Sequence, residues 1–153
     1  MILTTYHECS SKLDGKDNIK NYVLQGKGVV TLKSPTGKHH SNFFKKPVHE
    51  SNFPEGTRFV YTLGSGAIWH YTAMLEYDHK IIRPTFNSYY SELTEEFQGA
   101  KYIVKMMNKD MSNSPMELYH EGVCANCGRK LTNPRSLKTG FGPKCYKKVI
   151  LKD

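Results

Sequence analysis

Residues 57–76 read TRFVYTLGSGAIWHYTAMLE, and their alternation decides the fold. Phe59, Tyr61 and Leu63 fall on one face of an extended chain, with Arg58, Val60 and Thr62 on the other. Gly64-Ser65-Gly66 breaks the run, and residues 67–76 then alternate again. Trp69, Tyr71, Ala73 and Leu75 share one face, and Ile68, His70, Thr72 and Met74 share the other. Two period-two runs joined by a short glycine turn are the signature of antiparallel strands.

The pattern extends outward in both directions. Residues 28–33 carry Val29, Val30 and Leu32, and Ser34-Pro35-Thr36-Gly37 follows with the Pro and Gly placement of a type I turn. Residues 39–44 can run back as the second strand of that hairpin, and residues 47–56 read as a loop. Downstream, Tyr77-Asp78-His79 turns the chain into a short strand at residues 80–83, which Pro84 ends. Beyond it Phe97, Ala100, Val104 and Met107 form a helical stripe with Ile103 beside it, capped by Ser91 or Thr94. Residues 108–115 read as a linker, and residues 1–24 as a polar arm with turns at residues 9–11 and 14–18. The sequence thus predicts an α+β chain. Its core, residues 25–110, is a small antiparallel β-meander with one amphipathic helix; residues 1–24 precede it, and a separate module, residues 116–153, follows.

That last module carries the chemistry. Cys124 and Cys127 stand two residues apart, Gly128 follows, and Cys145 lies in the segment Gly140-Phe141-Gly142-Pro143-Lys144-Cys145. Two thiolates at this spacing can face one metal from a tight turn, and Gly128 gives that turn its backbone freedom. Gly142-Pro143 reads as a helix start that sets Cys145 in the first turn, where backbone N–H groups favour a thiolate. With His120 the donor set becomes His-x3-Cys-x2-Cys-x17-Cys, a closed tetrahedral shell for one structural zinc ion. His120 is near in sequence and costs little loop entropy to recruit. Cys9, or a water, is the alternative fourth ligand. The knuckle, hairpin and ligand-bearing helix resemble a treble-clef zinc finger.

The same segment resembles an uncharacterised family of small phage and bacterial proteins. Their motif has the form H-x-G-x-C-x-x-C-G-R-x-L-T-x-P-x-S followed by G-x-G-P-x-C. It stands here as His120, Gly122, Cys124, Cys127, Gly128, Arg129, Leu131, Thr132, Pro134, Ser136, Gly140, Gly142, Pro143 and Cys145. The resemblance covers about 26 residues. It implies a bound zinc and a phage or mobile-element origin, and no activity.

Charge points to a partner. Of the net +8, residues 101–153 contribute +7, from 11 Lys and Arg against 4 Asp and Glu. Such a cationic segment suits nucleic acid, DNA or RNA, through phosphate contacts at Lys130, Arg135, Lys138, Lys144, Lys147 and Lys148. Phe141 and Tyr146 sit among these charges. They read either as stacking partners for bases or, more plainly, as the small core of the module. Arg129 could instead bond carbonyls around the metal turn. No base-reading motif is present, so contact without strong sequence preference is expected.

Two other function classes remain. The aromatic strand face (Phe59, Tyr61, Trp69, Tyr71) or the Tyr89-Tyr90 corner suits a protein partner, such as a host RNA polymerase, nuclease or defence complex that the chain would inhibit or modulate. Asp78-His79 with Asn87 is the best catalytic candidate, as a ββα-metal nuclease, but turns select Asp and Asn anyway. A non-catalytic accessory protein is the preferred reading. No run approaches the ~20 apolar residues of a membrane span. Residues 1–22 carry no apolar run of a secretory signal, so a cytoplasmic location with reduced thiols is expected.

Overall fold

The computed structural model describes residues 11–152. The chain is α+β, built on a six-stranded antiparallel sheet. The strands are β1 (Val30–Lys33), β2 (His39–Lys45), β3 (Arg58–Leu63), β4 (Trp69–Leu75), β5 (Ile82–Arg83) and β6 (Glu117–His120). Their spatial order is β5-β4-β3-β2-β1-β6. The first five strands form the meander expected from their alternation. Between β1 and β2, Ser34 and Lys38 close the turn through a 2.8 Å backbone bond, with Gly37 at φ 89°. Residues 65–67 form a single 3-10 turn, so β4 starts two residues later than its pattern suggests. A bulge at Val60/Tyr61 leaves Thr72 without an opposing residue on β3.

Helix α2 (Glu95–Asn108) starts at Thr94, whose hydroxyl accepts from the Phe97 N–H at 3.2 Å. Thr94 thus takes the cap that the sequence shared between it and Ser91, and Glu95 and Glu96 complement the helix dipole. Its buried stripe, Phe97, Ala100, Ile103, Val104 and Met107, lies over one sheet face, against Phe44, Val60, Ala73 and Leu75. The opposite face stays partly open and carries a run of rings. Phe43 stacks on Tyr61 at 4.9 Å, and Tyr71 meets both Phe59 and Tyr61 edge-on.

Two expected boundaries move. Residues 11–24 are not a loose arm. Lys12 bridges to Tyr119, the Leu13 N–H donates to the Leu118 carbonyl at 2.8 Å, and residues 16–23 form helix α1 (Lys16–Val23). Ile19, Tyr22 and Val23, spaced i, i+3, i+4, bury one face of α1 beside α2. Cys9 lies outside the described residues. The last segment is also not a detached module. Residues 117–120 pair with β1 in the register Val30↔His120 to Lys33↔Glu117, so the linker delivers a sixth strand and the chain enters its final segment from inside the sheet. Among the described residues no helix is long and apolar enough to cross a membrane.

Candidate metal centre

The final segment grows out of β6. After His120 the chain turns at Gly122, φ 82°, and a short hairpin follows, with Val123 bridged to Lys130. The Leu131 N–H donates to the Gly122 carbonyl at 2.7 Å, and the Cys124 N–H to the Arg129 carbonyl at 2.8 Å. Inside this hairpin the Gly128 N–H closes on the Cys124 carbonyl at 2.9 Å, with Gly128 at φ 78°. Only a residue without Cβ takes that conformation cheaply, and the turn aims two side chains to one side.

Helix α3 (Pro134–Thr139) is capped by Asn133, which accepts from the Arg135 N–H at 2.8 Å. It ends at Gly140 in the left-handed region. Gly142 and Pro143 then start α4 (Pro143–Tyr146), which sets Cys145 on the same side as the knuckle. Residues 147–151 continue as one π-helical turn.

The Sγ atoms of Cys124, Cys127 and Cys145 lie within 4.8 Å of one another. Tetrahedral thiolates about 2.3 Å from a zinc ion would stand about 3.8 Å apart, so the three donors suit one ion with little adjustment. Burial alone would lift the Cys124 thiol. The N–H groups of Gly142, Cys127 and Asn126 outweigh it and hold this thiol below its ordinary value. At Cys145 the Asn126 amide favours the thiolate, with its Nδ2 3.4 Å from Sγ. Burial and the two neighbouring sulfurs outweigh that amide, and the Cys145 thiol lies above its ordinary value. The surroundings thus favour a thiolate at Cys124 and disfavour one at Cys145, and a cation between them would offset the latter.

His120 does not join the sulfurs. Its ring is fully buried and both nitrogens are committed. The Gly122 N–H donates to Nδ1 at 3.1 Å, so Nε2 bears the proton and donates to the Leu137 carbonyl at 2.5 Å. Burial lowers its pKa and the Leu137 bond only partly offsets this, so the ring is neutral. The expected ligand is instead a strut between β6, the knuckle and α3. The reason is position: His120 shares the core side of β6 with Leu118 and stacks on Tyr22, and its nitrogens fall outside the group formed by the three thiols.

Sequence reasoning missed Tyr22, the residue that fixes this segment to the sheet. Its ring stacks on His120 at 5.3 Å and meets Phe141 edge-on at 6.2 Å. Its hydroxyl donates to the Val123 carbonyl at 2.7 Å. Gly28 and Gly140 flank the ring so closely that an added Cβ would sit 2.3 Å and 2.6 Å from its atoms. The spacing of Ile19, Tyr22 and Val23 was the available signal.

Lys130, Arg135, Lys138, Lys144, Lys147 and Lys148 are all exposed, and none pairs with a described carboxylate. Lys130 and Lys144, with Arg129, line a cleft of about 560 Å³ beside the three sulfurs. Arg129 is exposed and makes no hydrogen bond to a described carbonyl. Phe141 is 3% exposed and packs between Tyr22 and Tyr146, so it belongs to the core. His79, the catalytic candidate, sits in the β4–β5 turn at φ 62° with Nε2 donating to the Gly56 carbonyl at 2.8 Å. Among the described residues the three cysteines are the one His/Cys/Asp/Glu group close enough to share a metal.

Residues 115–150 match the model of a family of unknown function, DUF6011. The DUF6011 match begins just before β6 and ends within the terminal helical turn, so it holds all three cysteines and His120. No curated protein and no solved structure matches the chain.

Proposed function

We propose that Cys124, Cys127 and Cys145 hold one structural zinc ion, and that the chain is a non-catalytic accessory protein whose basic zinc finger contacts nucleic acid without strong sequence preference. The observation that carries this reading is the convergence of three thiols beside a cleft edged by Arg129, Lys130 and Lys144. Zinc there would tie the knuckle to α4 in a treble-clef-like arrangement and fix the spacing of the cations. Cys9 or a water would complete the shell. Exposed, unpaired lysines on a rigid backbone suit phosphate contact, and counterion release would supply the affinity. The non-catalytic reading draws on His79, whose bond to Gly56 makes it a turn residue. The test is metal analysis followed by salt-titrated binding to short DNA and RNA. One equivalent of zinc and an affinity that falls steeply with salt are expected. No binding at low salt with zinc loaded would discard the reading.

A second reading, a protein-binding modulator of a host machine, draws on the open sheet face, where Phe59, Tyr61, Trp69 and Tyr71 are only half-buried. Recovery of a partner that survives nuclease treatment, and is lost in Trp69→Ala, would favour it over the first.

A further inference from the structure

The β5 edge of the sheet carries a second cationic surface, independent of the finger. Helix α2 and the β4–β5 hairpin enclose a groove of about 810 Å³. Its floor is aliphatic: Ile82 and Val104 are largely covered, and Ile81 is 52% exposed. Its rim is cationic. Lys101 and Lys105 stand four apart on α2, Lys109 follows as its C-cap, and Lys80 faces them from the hairpin. No carboxylate lines the groove, and none of the four lysines pairs with a described carboxylate. The frame is fixed, because Asn108 Nδ2 donates to both the His79 carbonyl at 2.7 Å and the Val104 carbonyl at 2.8 Å.

Folding does not explain the whole stripe. Lys105 and Lys109 suit the C-terminal end of the α2 dipole, but Lys101 stands mid-helix, four residues before Lys105, where like charges repel. Nor does solubility explain an exposed isoleucine on the floor between them. From the apolar floor, the rim of four lysines and the absence of acid, we infer that this groove docks an acidic protein segment whose aliphatic side chains enter between α2 and β5. The charge chooses an anionic partner, and the floor chooses its class. A nucleic acid would find cations here but no free ring on which to stack. Tyr102, the one aromatic residue of the lining, is tied through its hydroxyl to Ser114 and has Lys105 Nζ 6.0 Å above its ring. The stretch from Gln98 to Lys109 spans about 16 Å, enough for about three turns of a helix or five residues of strand.

The test is selection from a displayed library of random peptides about sixteen residues long on the full zinc-loaded chain, followed by titration of the enriched peptides. Clones with an excess of Asp and Glu and with Leu, Ile or Val are expected. Their affinity should fall about tenfold or more in Lys101→Glu/Lys105→Glu and several-fold in Ile81→Ser. Both changes are at exposed positions, and an unchanged melting temperature would show that the fold is intact. A library that yields no acidic clones overturns the inference, as do clones that bind both variants like the parent. A single-stranded thymidylate oligomer that alone binds, and alone is weakened by the lysine changes, would make the groove a nucleic-acid site and overturn it too.

Discussion

Tyr22 offers the sharpest test of how the metal segment is held. The side chain is fully buried, and burial, followed by the nearby Cys124 and Glu121, holds its phenol well above the ordinary range. The hydroxyl therefore keeps its proton and donates to Val123, one residue before Cys124, the first of the three clustered cysteines. Tyr22→Phe deletes that bond and leaves a part-buried carbonyl unpaired, a loss of about 1–2 kcal/mol. For a chain of 153 residues that amounts to about 3–6 °C in melting temperature. Tyr22→Ala also empties the space between Gly28 and Gly140 and removes two ring contacts, and should cost about 3–5 kcal/mol. That is a large share of the ~5–15 kcal/mol that holds a domain together. The assay is equilibrium urea unfolding of the zinc-loaded protein, with a chelator competition to read metal affinity. Both variants should release zinc more readily, Tyr22→Ala more than Tyr22→Phe. A Tyr22→Ala protein within about 1 kcal/mol of the parent would refute the claim that α1 bolts the cysteine-bearing segment to the sheet.

Four further outcomes follow from the geometry. Cys127→Ser should lose zinc, whereas His120→Gln should keep one equivalent while unfolding at lower urea; loss of metal in both would return His120 to the ligand set. Gly140→Ala forces a Cβ into the left-handed region and to 2.6 Å from the Tyr22 ring, and should cost more than the ~1–2 kcal/mol of the backbone strain alone, read by the same unfolding curve. Lys130→Gln/Lys144→Gln should reduce the slope of log affinity against log salt on duplex DNA by about two. Burial lowers the pKa of both His79 and His120, so protonation favours the unfolded chain; stability should fall as pH drops below about 6.5, and His120→Asn should remove its share of that slope in a series of unfolding curves at stepped pH.

The strands were legible because side chains alternate along them, so Phe59, Tyr61 and Leu63 separate from Val60 and Thr62. Which face enters the core was not, since Val60 is buried while the rings are half-open, and the bulge at Val60/Tyr61 sets Ala73 and Leu75 opposite to Trp69 and Tyr71. Helix α2 was legible for the same reason at a different period. Three of the proposed ligands followed from spacing, since a CxxC knuckle with glycine after it has few other uses. His120 misled because chain distance is a weak guide to side-chain direction. Four residues before Cys124 is near enough to reach the metal, yet the strand pairing with Val30 turns the ring to the core. The alternation of Leu118 with His120 was the local sign that this segment is a strand. Helix α1 went unread because eight residues with Asn18 and Asn21 make a poor helix alone. Its stability comes from packing Ile19, Tyr22 and Val23 on groups far away in sequence.

Composition placed the positive charge correctly along the chain but not in space. Residues 101–153 hold +7, and a linear reading assigns all of it to the finger. In the fold Lys101, Lys105 and Lys109 stand with Lys80 beside β5, whereas Lys130, Arg135 and Lys144 project from the segment beyond β6. β5 and β6 are the two ends of the sheet order, separated by five inter-strand steps, or about 24 Å. One short oligonucleotide laid on the finger would therefore leave the α2 lysines free. The two surfaces are separable by mutation, and their coupling is measurable. If Lys101→Glu/Lys105→Glu left the salt slope of nucleic-acid binding intact, the charge would serve two partners. A slope lowered by that change as much as by Lys130→Gln/Lys144→Gln would mean that one polyanion runs across the sheet from edge to edge.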